Sequence, residues 1–327
     1  MKKSIFILAS AIFMLASCSS NSEQNQNHLE EFGFNGKVES VKYATYKAGE
    51  IKGELTKGKL IKGEVRSSDE ILTILPIFKA HDYSSNSYGL LESYNEDGFL
   101  VEQNEYDSRG RGTQKIVNNY DNENNLTECA FYSKDKLFMK QAYKYDSKGR
   151  VSECGLYGDN EELAMTYAYK YDKNNNITQF GYSSPADIPG MNYICKYDNK
   201  NNLTECAFYL DDEFYINILY NYDNNNNIIG CEMYNSDNDL EGKIERIYDD
   251  KNNITECNEY DNNDKIVTNY TLKYDDYNNL IEYISQGDEN SNITYTYEYD
   301  DKNNWIKKVT YEKNRPVSIE EREITYY

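Results

Sequence analysis

Aspartates followed by runs of asparagine are the first residues here whose types and spacing could do chemistry. Asp172-Lys173-Asn174-Asn175-Asn176 and Asp223-Asn224-Asn225-Asn226-Asn227 begin as a calcium loop begins. Such a loop also needs glycine at its sixth position and a bidentate glutamate at its twelfth. Those places hold Ile177 and Ser183, or Ile228 and Tyr234, so the runs read as turns. The only histidines are His28 and His81, which fall in separate segments outside the repeats, so no histidine pair is there for a zinc site and no Ser/His/Asp arrangement lies in the repeats. Gly-x-Ser-x-Gly, a Gly-rich phosphate loop and Cys-x-x-Cys are all missing. Paired carboxylates remain as a route to catalysis, but among 56 acidic residues pairs arise by chance. The expectation is a chain that is not an enzyme, with no catalytic residue, metal or cofactor.

Cysteine and tyrosine carry the next pattern. Cys129, Cys154, Cys206, Cys231 and Cys257 each lie nine residues after a tyrosine, and Phe180 and Tyr283 take the same slot elsewhere. In a hairpin repeat such positions fall two strands apart, about 9–10 Å, whereas a disulfide needs Cα atoms within about 7 Å. The row therefore reads as buried thiols. Cys195 precedes Cys206 on the adjacent strand, and whether these two pair is left open. Tyrosines at every second position, such as Tyr167, Tyr169 and Tyr171, could stack on sugar rings or simply form the core; the core reading is preferred.

The elements that must position these residues are repeats. Tyr-Asp, once Tyr-Asn, recurs at Tyr94, Tyr120, Tyr145, Tyr171, Tyr197, Tyr222, Tyr248, Tyr274 and Tyr299, every 25 or 26 residues. Each strand leading into the pair alternates with period two, tyrosine on one face and Lys144, Lys170, Lys196 or Lys273 on the other. The strand after it places Cys129 and Phe131 on one face and Glu128 on the other. The cysteine face goes inward, because burying a glutamate in every repeat would cost several kcal/mol each time. Between the strands lies the repeat turn Tyr145, Asp146, Gly149: the aspartate caps backbone N–H groups two residues on, and glycine takes positive φ. Asn124, Asn175, Asn201, Asn226, Asn252, Asn278 and Asn303 stand where Gly149 does, as the next most tolerant residue type.

Ahead of the repeats, Lys2, Lys3 and the apolar run Ile5 to Leu15 read as an export signal too short to span a bilayer. The ending Leu15-Ala16-Ser17-Cys18 resembles the lipobox of bacterial lipoproteins, which implies cleavage before Cys18 and lipid attachment to its thiol. Ser19 after it, rather than aspartate, implies the outer membrane. Residues 1–17 are then signal, 18–28 a polar tether, 29–93 an N-terminal β-rich cap with the strand Gly36 to Tyr46, and 94–327 the repeat array with a C-terminal cap hairpin. Gly53, Gly58 and Gly63 suggest turns or short irregular strands, and Ile71 to Lys79, interrupted by Pro76, a buried strand or short helix. A net charge of −21, about −23 once Lys2 and Lys3 are removed, repels phosphate backbones and anionic headgroups. Nucleic acid is excluded as a partner, and the membrane is touched only through the lipid.

Tyr-Asp-x-x-Gly-Arg-Val at Tyr145 to Val151 resembles the YD repeat of the RHS family, over about 94–327. The resemblance implies an all-β array of hairpins, here without the Asp-Pro-x-Gly closing motif or a toxin domain, as in short exported YD-repeat lipoproteins. About nine hairpins at ~4.8 Å per strand exceed what a flat sheet sustains, so a superhelical or curled antiparallel array is expected. The function expected is a non-enzymatic, lipid-anchored protein of the bacterial envelope presenting a β surface to a protein or glycan partner. Alternatives are a carbohydrate-processing accessory or weak hydrolase using carboxylates on a concave face, and a structural spacer.

Overall fold

The computed structural model describes residues 27–65, 85–185, 190–287 and 290–327. The export signal, Cys18, His81 and the Ile71–Lys79 stretch lie outside them. Among the described residues one short helix, α1 (His28–Glu31), precedes 23 strands. They are β1 (Val38–Ile51), β2 (Glu54–Ile61), β3 (Gly63–Val65), β4 (Ser85–Ser87), β5 (Gly89–Tyr94), β6 (Leu100–Tyr106), β7 (Gly112–Tyr120), β8 (Leu126–Ser133), β9 (Lys136–Tyr145), β10 (Val151–Gly158), β11 (Leu163–Tyr171) and β12 (Ile177–Ser183). There follow β13 (Met191–Tyr197), β14 (Leu203–Leu210), β15 (Glu213–Tyr222), β16 (Ile228–Asn235), β17 (Leu240–Tyr248), β18 (Ile254–Asp261), β19 (Ile266–Tyr274), β20 (Leu280–Gly287), β21 (Ser291–Tyr299), β22 (Trp305–Glu312) and β23 (Arg315–Tyr326). All but β3 and β4 belong to one 21-stranded sheet, and every register described in it is antiparallel between neighbours in the chain except at β1.

That exception corrects the expected superhelical or curled open array. Tyr43 of β1 pairs with Arg322 of β23 on one edge and with Leu90 of β5 on the other. The last strand and the first repeat strand are thus joined through β1, and the fold is a closed antiparallel β-barrel. The physical reason is the cost of edges: an open array of this length leaves two rows of unpaired N–H and C=O groups. β1, expected to cover one edge, satisfies both. Val38 and Val41, which anchor it, are fully buried.

Contacts divide the described chain into a middle unit, residues 165–292, and a terminal unit, residues 27–65, 85–164 and 293–327. In the middle unit the core is the cysteine face: Phe180, Tyr193, Cys206, Phe208, Ile216, Ile218, Cys231, Met233, Cys257 and Leu272. Each aliphatic or aromatic side chain so buried contributes about 1.5–3 kcal/mol. Rings stack strand to strand across it, Phe180 on Tyr193 at 4.2 Å and Tyr193 on Phe208 at 4.9 Å. In the terminal unit Cys129 and Phe131 hold the same places, and a second core of Leu29, Phe34, Val41, Leu90, Tyr94 and Leu100 gathers under α1. Asn27 caps α1 by accepting from the Glu30 N–H, and His28 Nδ1 accepts from the Leu100 N–H at 2.8 Å.

Local chemistry fixes the repeat. A register shift, the mark of a β-bulge, falls immediately before each of the nine tyrosines, for example between Lys144 and Tyr145. In five of the nine the extra residue is a serine or threonine whose hydroxyl donates across the strand pair, Thr127 to Asn119, Ser152 to Lys144, Thr178 to Lys170, Thr204 to Lys196 and Thr255 to Ile247; in the other four it is Val101, Ile229, Ile281 or Ile306. The bulge re-aims the tyrosine, and at Tyr120, Tyr145, Tyr197, Tyr222 and Tyr248 the hydroxyl donates to the carbonyl that opens the neighbouring strand, as Tyr145 does to Leu126 at 2.7 Å and Tyr222 to Leu203 at 2.8 Å.

Candidate functional site

Tyr145, Asp146 and Gly149 lie together in the turn between β9 and β10. Asp146 Oδ1 accepts from the backbone N–H of Lys148 (2.8 Å) and Arg150 (3.1 Å), and its Oδ2 from Arg150 Nε (2.8 Å). The Arg150 side chain, followed by backbone donors, holds this carboxyl at about 2 against opposing burial. Gly149 takes φ +76°, and Asn124, Asn175, Asn201, Asn226, Asn252, Asn278 and Asn303 take φ between 62° and 72° in the equivalent place. The turn reading of the sequence therefore holds at each of them. Asp172 and Asp223 accept in the same way from Asn174 and Asn176, and from Asn225 and Asn227. Their Oδ1 atoms accept from backbone N–H groups, as the turn reading expects.

Asparagine in that place does something glycine would not. In the middle unit Asn201 Oδ1 accepts from Asn174 and Asn176, Asn226 from Asn202, Asn252 from Asn227 and Asn278 from Asn253, at 2.9–3.2 Å. Successive turns are stitched into a row. The Asn content is turn chemistry plus this lateral ladder, which sequence periodicity alone did not reveal.

The cysteine row is buried as expected. Cys129, Cys154, Cys231 and Cys257 are free thiols, and burial pushes Cys129 up to about 12 and Cys154 up to about 11. Cys195 and Cys206 face each other across β13 and β14 with Cα atoms 4.3 Å apart and form a disulfide. The tyrosine face shares the buried side: Tyr143 is paired with Cys154, Tyr169 with Phe180 and Tyr220 with Cys231. Tyr193 and Tyr220 are each only 5% exposed, so the core reading of the stripe holds for them.

Two polar clusters interrupt that buried side, and neither was visible in the sequence. In the middle unit Arg246 stands opposite Cys257, and Glu259 accepts from Tyr270 at 3.3 Å; burial raises the Glu259 carboxyl, opposed by its hydrogen bonds. In the terminal unit Glu92 Oε2 accepts from both Tyr43 and Tyr94 hydroxyls at 2.9 Å, and burial raises its carboxyl. The Arg322 guanidinium lies flat against Trp305 at 3.3 Å and near Tyr43 and Phe34 at 5.1 and 5.2 Å. Lys308 is 5.5 Å from the same indole and 3.6 Å from the Glu320 carboxylate. Arg246 and Arg322 occupy positions where the alternation predicts apolar or aromatic residues, and only that departure could have flagged them.

The opposite face of the sheet is charged. Lys196 pairs with Glu205 at 2.8 Å and Lys273 with Glu282 in the middle unit; Lys144 with Glu153 and Lys307 with Glu298, both at 2.6 Å, do so in the terminal unit. No helix among the described residues is long and apolar enough to cross a membrane.

No protein-family model and no curated protein matches the chain. Among solved structures it is similar to a chain of TcdB2-TccC3-Cdc42, with TM-score 0.30 and 13% identity over 86% of this chain and 19% of that one. It is also similar to porin-like proteins from Bacteroides uniformis (TM-score 0.32, 11% identity, 89% and 99% covered) and Bacteroides vulgatus (0.27, 13%, 89% and 98%). The chain spans about a fifth of the TcdB2-TccC3-Cdc42 chain it matches and nearly all of the porin-like ones. At TM-scores of this size the fold rests on the strand pairings above.

Proposed function

We propose that this is a non-enzymatic, lipid-anchored YD-repeat protein of the bacterial envelope, held at the outer membrane by Cys18 and offering its β surface to a protein or glycan partner. The observation that carries this reading is the sidedness of the sheet. Apolar and aromatic side chains take the buried face, and Lys–Glu pairs take the open one, in both units. A strand that crosses a bilayer has the reverse pattern, and each lysine at mid-membrane costs about 2–4 kcal/mol. The open face is therefore made for water, and attachment falls to the lipid. The nine bulged tyrosine turns support kinship with the YD repeats.

Fractionation tests the attachment. The full chain should enter detergent extracts of the outer membrane, and Cys18→Ala should be exported yet recovered in the aqueous fraction. If Cys18→Ala still needs detergent for extraction, the strands themselves enter the bilayer and the reading fails. Capture from envelope extract with the aqueous variant, assayed separately for protein and carbohydrate, identifies the partner class. If neither is retained after mild washing, the binding role falls.

A further inference from the structure

We infer that the buried face of the terminal unit binds a small oxyanion, a carboxylate- or phosphate-bearing molecule, at Arg322. Three observations meet there. First, Arg322 has no hydrogen bond and no carboxylate within ion-pair distance among the described residues, and its Nε is buried without an acceptor. A guanidinium carries five donors and stays charged, so a buried Nε without an acceptor is costly. Second, the nearby carboxylate attracts Arg322 across space but makes no hydrogen bond to it: Glu92 Oε2 accepts from Tyr43 and Tyr94. Third, the group is held rigidly. Trp305 lies 3.3 Å beneath the guanidinium plane, which fixes its orientation and leaves the N–H edge to meet an oxyanion side-on.

Lys308, on the same indole, adds a second cation, although Glu320 already attends it. Glu92 and Glu320 keep the local field from being strongly positive, so selection rests on the fork of Arg322 rather than on bulk charge. Neither Trp305 nor Arg322 is fully enclosed, so a small solute reaches them. The site does not depend on the lipid anchor: its loss would leave the Cys18→Ala fractionation unchanged.

Trp305 is the single tryptophan of the chain, and its emission reports the site directly. The full chain in detergent is titrated at constant ionic strength with inorganic phosphate, with glucuronate and with glucose. The expected result is a saturable change in tryptophan emission with phosphate, glucuronate or both, and none with glucose. Phosphate alone would assign a phosphorylated ligand, glucuronate alone a carboxylated one. Arg322→Met should weaken the response at least tenfold, and Arg111→Met, in an exposed turn, should leave it unchanged. Arg322→Lys keeps the charge without the fork and should also weaken binding tenfold, which separates recognition from misfolding once circular dichroism matches wild type. No saturable response to either anion, or an equal response in a folded Arg322→Lys, overturns the assignment.

Discussion

Replacing Asn201 separates the two reasons why asparagine fills the repeat turns. Its backbone sits at φ +68°, and its Oδ1 accepts from Asn174 and from Asn176, the latter only 2% exposed. Asn201→Ala keeps an ordinary side chain in the left-handed region, at a cost of about 1–2 kcal/mol. It also strips one buried hydrogen bond, about 1 kcal/mol, the exposed Asn174 finding water instead. The sum is about 2–3 kcal/mol. Asn201→Gly loses the same hydrogen bond but relieves the backbone, and should cost about 1 kcal/mol. Gly149→Ala calibrates the conformational part alone, because φ there is +76° and nothing lies within 4 Å of the added Cβ. Urea midpoints read by far-ultraviolet circular dichroism, at unchanged slope, give the three numbers. The Ala-minus-Gly difference at 201 should match the cost of Gly149→Ala. Equal losses for Asn201→Ala and Asn201→Gly would refute the conformational argument, and a wild-type midpoint for Asn201→Gly would refute the ladder.

Phe208→Ala empties a site between Tyr193 and Tyr215 and should destabilise by about 3–5 kcal/mol, measured as a fall in the urea midpoint. Tyr222→Phe leaves the Leu203 carbonyl without its donor and should cost about 1 kcal/mol in the same assay. Cys129, Cys154, Cys231 and Cys257 should react with a thiol reagent only after unfolding; rapid labelling of any of these four in the native protein at neutral pH would contradict their burial. Stability should also fall in alkali. Burial raises Cys129 to about 12, Cys154 to about 11 and Tyr193 to about 12, so the folded state holds protons that the unfolded state releases first. Their contribution is fully present below the unfolded thiol value of about 8.5 and is lost as pH climbs to about 12; a midpoint that rises between pH 8.5 and 11 would show the sign to be wrong.

The local grammar of this protein was legible in its sequence because it depends on contacts a few residues apart. Tyr-Asp followed by Gly149 or its asparagine equivalents encodes a turn wherever it occurs, and period two assigns cysteine and tyrosine to one face and lysine and glutamate to the other. Those are properties of backbone sterics and of side-chain alternation, repeated nine times. Closure was not legible. Whether β1 covers one edge or joins two depends on how twist accumulates over the whole sheet, and nothing in residues 38–51 records that β23 arrives on the far side of Tyr43. The polar clusters were hidden for a related reason. Arg322 and Glu92 are 230 residues apart in sequence, and only pairing both of their strands with β1 sets Arg322 near Glu92 and Tyr43. Sequence determined the hairpin and its turn; the structure alone showed the bulge, the joined ends and the charged group set beside them.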